Sequence, residues 1–243
     1  MNPGEVVERE LAIPRSPLDV AGVLWTPAEP REPDAPMPVV LLGHGGSGHK
    51  RSARLVRLAA ALAGRHGLAA LAIDGPYHGD RAPADGDYQS AVIQEGAAAV
   101  ARRAVAEWLV ALDGASMLAP LDHARLAYVG LSMGTRHGLP LAAELGPRLR
   151  AAVLGKYGLV QGPALPSGLH VPETSLRAAR SITCPVLFHL EWRDEVFPRD
   201  GQLALFDAIA AADKRMIVRN GRHAGSRPED EDAWIAHVAR ALR

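Results

Sequence analysis

The sequence holds one cysteine, Cys184, in 243 residues, so no internal disulfide can form. That suits a reducing compartment. It has no excess of either charge: 27 Lys and Arg balance 27 Asp and Glu, and no basic tract stands out. Aromatic residues make up only 5%. Without a basic stripe or stacking platforms, nucleic acid is not expected as a partner. No apolar run reaches membrane-spanning length. The stretch MNPGEVVERELAIP carries charges where a signal peptide needs an apolar run. A soluble, cytoplasmic protein that is not membrane-bound is therefore expected. The ten histidines show no metal-site spacing, with no H-E-x-x-H and no Cys-rich cluster. No metal and no cofactor is expected. Internal repeats and long low-complexity segments are also missing.

What remains fits one large α/β domain over residues 1–243, with ample length for a buried core, as a monomer or a homodimer. VVERELAIP (6–14) and LDVAGVLWTP (18–27) read as an antiparallel strand pair. Strands and helices then alternate. PVVLLG (38–43), LAALAID (68–74), ARLAYVG (124–130), RAAVLGKYG (150–158), CPVLFHLEW (184–192) and KRMIVR (214–219) read as strands. Helices are expected over 51–67, 88–112, 132–145, 200–212 and 227–242. Pro and Gly cluster over 26–38 and 155–172, which read as loops. An antiparallel pair followed by β-α alternation predicts a mostly parallel sheet flanked by helices. Sites in such sheets lie at the carboxyl ends of strands.

The residues after the first buried strand, GHGGSGHK (43–50), admit two readings. Gly43, Gly45 and Gly48 fit the dinucleotide fingerprint G-x-G-x-x-G, and Asp74 ends the next strand where a ribose-binding acid would sit. His44-Gly45-Gly46 instead fits the loop that supplies half of an oxyanion hole. Helical periodicity begins only near Arg51, too late for a helix N-terminus to meet a pyrophosphate. A P-loop fails because His49 separates Gly48 from Lys50.

Gly130-Leu-Ser132-Met-Gly134 fits G-x-S-x-G between a strand and a helix. A serine on such a turn projects its hydroxyl, and small neighbours let the turn close. The N–H of Met133, at the helix N-terminus, points toward developing negative charge. A serine nucleophile needs a base, and the base needs an orienting carboxylate. Asp194 and His223 follow later strands at the same sheet edge, in the order Ser, Asp, His. The rival acids fit less well. Glu191 lies too early, within its strand, and Asp200 reads as a helix N-cap; Glu195 stays as a rival. His237 lies in an amphipathic helix and reads as structural.

The motifs LLGHGG, DGPYHGDR, GLSMG, WRDEVFP and GRHAG run in this order along nearly the whole chain. In them the chain resembles an α/β-hydrolase, and more narrowly the compact dienelactone hydrolase-like serine esterases. The resemblance implies Ser132 as nucleophile, His223 as base and Asp194 as acid. It also implies an oxyanion hole from the N–H groups of Gly46 and Met133. Dienelactone hydrolases proper use a cysteine nucleophile; serine here points to ordinary ester chemistry on a small-molecule substrate. Thioesters, lactones, amides, peptides and acyl transfer to another alcohol stay open. Tyr77, His78, Trp192 and Phe197 are candidate pocket residues. His44 is expected to hold its loop; Arg136 and His137 either touch substrate or, the favoured reading, face solvent. Only residues 159–183 follow the strand where lids insert, so a short cap-like insertion is expected and no lid domain. Two other readings compete: a catalytically silent hydrolase-fold binding protein, and a nucleotide-binding oxidoreductase using the 43–48 loop.

Overall fold

In a computed structural model describing residues 4–15, 19–30, 32 and 35–243, eight strands form one sheet. They are β1 (Val6–Ile13), β2 (Val20–Pro27), β3 (Met37–Gly43), β4 (Ala69–Ile73), β5 (Leu121–Gly130), β6 (Leu149–Gly155), β7 (Val186–Glu191) and β8 (Lys214–Arg219). Their order across the sheet is β1-β2-β4-β3-β5-β6-β7-β8. β1 and β2 pair antiparallel, β2 joins β4 antiparallel, and every pairing from β4 through β8 is parallel. The expected fold class is present: a mostly parallel sheet with an antiparallel N-terminal pair. Leu18, expected to open the second strand, lies outside the described residues. So do Arg31, Pro33 and Asp34 of the expected 26–38 loop.

Seven helices are described: α1 (Ala53–His66), α2 (Tyr88–Glu95), α3 (Ala97–Ala115), α4 (Met133–Leu145), α5 (Pro172–Ala179), α6 (Arg199–Ala208) and α7 (Pro228–Ala241). None among the described residues is long and apolar enough to cross a membrane. Successive strand residues face opposite sides of the sheet, which explains the continuous apolar runs. Val39 and Leu41 join a core with Trp108 of α3, Leu139 of α4 and Leu205 of α6. Val40 and Leu42 join the opposite core with Leu58 of α1 and Trp234 of α7.

Several elements differ from expectation. The helix expected over 88–112 is two, because Gly96 between α2 and α3 has φ +92, which no helix accommodates. β6 stops at Gly155 rather than continuing to 158, because Lys156 turns to φ +47. α6 ends at Ala208 instead of 212. There the Lys214 ammonium donates to the carbonyls of Phe206, Asp207 and Ile209, satisfying the free helix end. Pro198, not Asp200, is the N-cap of α6. Within 159–183, read as cap or loop, α5 starts on Pro172, a residue well suited to the first helical position.

One side chain organises the strand end beneath Ser132. Tyr128 is fully buried, and its hydroxyl donates to Gly134 O at 2.6 Å. A Cβ built on Gly43, Gly130 or Gly138 would lie within 2.1–2.6 Å of its ring or hydroxyl. These glycines are required by the tyrosine they surround. Gly138→Ala is expected to destabilise by about 1–3 kcal/mol through overpacking, read as a lower Tm; an unchanged Tm would show that the ring moves freely.

Candidate active site

Ser132 sits between β5 and α4 with φ 59 and ψ −120, a strained conformation for a residue with a side chain. Its surroundings hold it there. Its N–H donates to Gly155 O at 3.0 Å, and Gly134 N–H donates to Leu131 O at 2.9 Å. The Thr135 hydroxyl, 2.7 Å from Gly130 O and 2.8 Å from Gly155 O, accepts from Gly155 N–H and ties the ends of β5 and β6 together. Among the described residues, Tyr77, Ser132 and Lys156 are the three non-glycine positions with positive φ. All three line one cleft of about 740 Å³. Strain of this kind concentrates at functional sites.

The structure brings the three distant candidates together. Ser132 Oγ lies 2.8 Å from His223 Nε2, and His223 Nδ1 lies 2.8 Å from Asp194 Oδ2. A carboxylate only accepts, so Nδ1 carries the ring proton and Nε2 is free to accept from the Ser132 hydroxyl. The other oxygen of Asp194 accepts the N–H groups of Val196 and Phe197, both at 2.8 Å. That turn fixes the carboxylate after β7. His223 is anchored through its backbone: its N–H donates to Glu195 Oε2 at 3.1 Å, and Lys156 Nζ donates to its carbonyl at 3.2 Å. Such a relay lets a hydroxyl lose its proton as it attacks a carbonyl. Glu191 ends β7 and faces His189 at 3.1 Å and Lys156 at 3.5 Å, while Asp194 takes His223 Nδ1. Burial lowers the Lys156 pKa, with Glu191 opposing that shift.

The 43–50 loop is built around two histidines. Gly75 N–H donates to His44 Nε2 at 2.9 Å, so His44 Nδ1 carries the proton and donates to Gly45 O at 2.8 Å. His78 lies between Pro76 O at 2.8 Å and Gly46 O at 3.0 Å. His44 thus holds its loop, as expected. The dinucleotide reading loses its acid. Asp74, fully buried, takes Lys50 Nζ at 2.7 Å, Lys50 N–H at 2.8 Å and Asp80 N–H at 3.0 Å. Burial opposes its ionisation, but the Lys50 and Asp80 hydrogen bonds outweigh that and lower its pKa.

Burial, then the neighbouring His78, lower the His44 pKa from the ordinary 6.5 to about 4. The unfolded chain then binds a proton where the folded one does not. Stability from His44 is complete above about pH 6.5 and is lost as pH falls toward about 4. The loss is about 3 kcal/mol, at about 1.4 kcal/mol per unit. Burial lowers the pKa of His78, His137, His189 and His237 in the same sense. Tm is expected to drop steeply over this window, with a shallower slope in His44→Gln; parallel slopes would contradict the assignment.

Of the pocket candidates, Tyr77, His78 and Phe197 line the cleft. The Phe197 ring packs 5.8 Å from that of His223. Trp192 does not line it. Glu191 points inward at the end of β7, so the next side chain points out; Trp192 is 44% exposed, under the Arg199 guanidinium at 4.6 Å. Arg136 and His137 do not face solvent: both are buried, Arg136 in the cleft wall and His137 beside a smaller void near His44. Sequence reasoning missed Lys156 and Tyr157, although both directly follow β6. It also missed Tyr88 and Arg54, hidden by their place on helices. Cys184 takes no part; burial pushes its thiol up to about 12.

The chain matches the dienelactone hydrolase family over residues 20–235. Among curated proteins, none matches it. A cold-adapted esterase from an Arctic intertidal metagenomic library, solved bound to PEG, is 33% identical, with a TM-score of 0.80 covering 98% of this chain and 95% of that one. An acetyl xylan esterase from Paenibacillus sp. R4 is 18% identical, with a TM-score of 0.72 covering 98% of this chain and 90% of that one. A putative dienelactone hydrolase from Klebsiella pneumoniae is 20% identical, with a TM-score of 0.69 covering 96% of this chain and 99% of that one. The last two share the fold. With its sheet, its elbow serine and this match along most of its length, the chain belongs to the dienelactone hydrolase family of α/β-hydrolases and is a hydrolase acting on esters.

Proposed function

We propose that the chain is a serine esterase that works through an acyl-enzyme on Ser132. The observation that carries this reading is the Ser132–His223–Asp194 relay, 2.8 Å at each link, on a strained elbow. Ser132 attacks the ester carbonyl while His223 takes its proton. Asp194 keeps the ring in the useful tautomer and stabilises the imidazolium. His223 then protonates the leaving alcohol. Water, deprotonated by His223, releases the acid. The chain's own residues and water make every proton transfer, so the cycle calls for no cofactor.

The oxyanion is received by the N–H groups of Met133 and Gly46. Met133 opens α4, where the N–H and the helix dipole both favour negative charge. For Gly46 the support is a peptide plane. The carbonyl of Gly45 is held by His44 Nδ1 at 2.8 Å and Gly48 N–H at 2.9 Å, which turns the N–H of Gly46 to the opposite side. The two donor loops abut: a Cβ on Gly134 would lie 2.9 Å from Gly43 O and 3.1 Å from His44 O. Each donor is worth about 3–4 kcal/mol.

The cleft is walled by residues 77–89 and by Leu165 and Leu169 of the short 159–183 segment, with no lid domain among them, so the substrates are small or extended esters rather than emulsified lipid. The test is incubation with a fluorophosphonate probe and peptide mapping. Modification of the peptide carrying Ser132, together with turnover of nitrophenyl acetate, is expected. A well-folded protein that takes no label would sink the reading.

A further inference from the structure

His223 sits in the loop between β8 and α7, where Ala224, Gly225 and Ser226 are exposed. Among the described residues, two side chains bond to its main chain. Glu195 Oε2 accepts its N–H at 3.1 Å, from a side chain that is 40% exposed. Lys156 Nζ donates to its carbonyl at 3.2 Å, from a side chain that is 3% exposed. Water competes for the first of these bonds far more than for the second. Peptide units are planar, so holding the N–H and the C=O fixes the planes on both sides of the His223 Cα. Those planes set the direction in which the imidazole leaves the backbone. Asp194 and Ser132 act only on its far end.

Lysine is a costly choice at position 156. It directly follows β6 with φ +47, in the left-handed region that favours glycine. That turn breaks the alternation of the strand. Its N–H is locked to His189 O at 2.8 Å. An ion pair is not what sets the place of its ammonium. Lys50, the other buried lysine among the described residues, closes on Asp74 at 2.7 Å. Lys156 stands 3.5 Å from Glu191 Oε1, an oxygen that also faces His189 Nε2 at 3.1 Å. The ammonium is nearer to the His223 carbonyl than to its own counter-ion.

We infer that Lys156 is a positioning residue for the reaction: it holds the main chain of His223 so that the imidazole meets Ser132 and Asp194 in line, and Glu191 only balances its charge. The inference rests on the esterase reading of Ser132 and deepens it. Every proton transfer in that cycle passes through His223 Nε2, 2.8 Å from Ser132 Oγ. A misplacement of about 1 Å at such a point costs about 100-fold in rate. Without the buried bond, an exposed loop held by an exposed carboxylate aims the ring.

Lys156→Met keeps the stem and removes the donor. Its kcat on nitrophenyl acetate is expected to fall about 10- to 100-fold, the worth of a hydrogen bond from a charged group, with KM unchanged. The rate of fluorophosphonate labelling falls by the same factor, because that attack needs the same base. Glu191→Gln loses much less, since Nζ has an N–H to donate whether charged or neutral. The double variant Lys156→Met/Glu191→Gln leaves no unpaired buried charge, and its kcat is expected to stay low. It also carries the test if Lys156→Met folds poorly by circular dichroism. A purely structural ion pair predicts equal losses in the two single variants and recovery in the double one; that pattern overturns the inference. So does a raised KM at unchanged kcat, which would make Lys156 a substrate contact. A second readout needs no substrate. The far-downfield proton resonance of His223 Nδ1–H, identified by its loss in Asp194→Ala, is expected in the wild type and in Glu191→Gln, and broadened or lost in both Lys156→Met variants. An unchanged resonance in Lys156→Met, or none in the wild type, overturns the inference. If the wild type turns over no ester and takes no label, the esterase reading falls, and the resonance alone decides whether Lys156 holds the ring.

Discussion

Ser132→Ala is expected to lower kcat on nitrophenyl esters by about 10⁶-fold, the loss seen when a serine hydrolase is stripped of its nucleophile. A residual rate is expected, because the proposed donors, the N–H groups of Met133 and Gly46, would still polarise the carbonyl. The fold should not suffer. The Ser132 hydroxyl bonds to the His223 ring, which remains tied to Asp194 without it. Alanine shares the strained φ of 59. Glycine does not, and this gives the prediction a second, opposite readout. Relief of strain of about 1–3 kcal/mol, less the about 0.4–1 kcal/mol that glycine adds to unfolded-state entropy, makes Ser132→Gly more stable than Ser132→Ala. For a chain of this size each kcal/mol is roughly 2–4 °C in Tm. An elbow that stores strain to present its serine predicts a protein that gains stability as it loses activity. Retention of more than a hundredth of wild-type kcat by Ser132→Ala would place the nucleophile elsewhere.

Asp194→Asn tests orientation rather than nucleophilicity. In the wild type, one carboxylate oxygen accepts the N–H groups of Val196 and Phe197, and the other accepts His223 Nδ1–H. Asparagine has one oxygen, and the two backbone donors claim it. The amide NH₂ then faces the imidazole and demands an acceptor. His223 answers by moving its proton to Nε2, where it can no longer take the proton of Ser132. The expected cost is about 10⁴-fold in kcat, with little change in Tm because the turn keeps its acceptor. Asp194→Ala should lose similar activity and also stability, since the buried Phe197 N–H and the half-buried Val196 N–H lose their acceptor. If Asp194→Asn stays within tenfold of wild type, Asp194 is not the orienting acid, and Glu195, bonded to the His223 N–H, becomes the group to remove.

The features legible in the sequence were those that local geometry dictates. The G-x-S-x-G run announces a turn that only small neighbours permit. Alternating apolar runs and amphipathic stretches announce a sheet covered on both faces. Asp194 and His223 were legible because strand ends on a parallel sheet share one edge. Errors arose where a side chain's direction mattered more than its type. Trp192 follows Asp194's strand as closely as any pocket residue would, but the pleat turns it outward. Arg136, an arginine on a helix, gives no sign in the sequence that its face is buried. Gly96 alone should have divided the helix drawn through it.

By itself, the sequence determined the fold class, the elbow and the chain order of the three polar residues, because each depends on backbone preferences spanning a few residues. Only the tertiary structure decided that Ser132 and His223, 91 positions apart, meet at 2.8 Å. It also decided that His44 and His78 pin the 43–50 loop, that Asp74 is spent on Lys50 and Asp80, and that Arg136 is buried in the cleft wall. Those are facts about which groups share a low-dielectric space and which acceptors are already taken. Shared space and spent acceptors belong to the packed chain, and no local pattern encodes them.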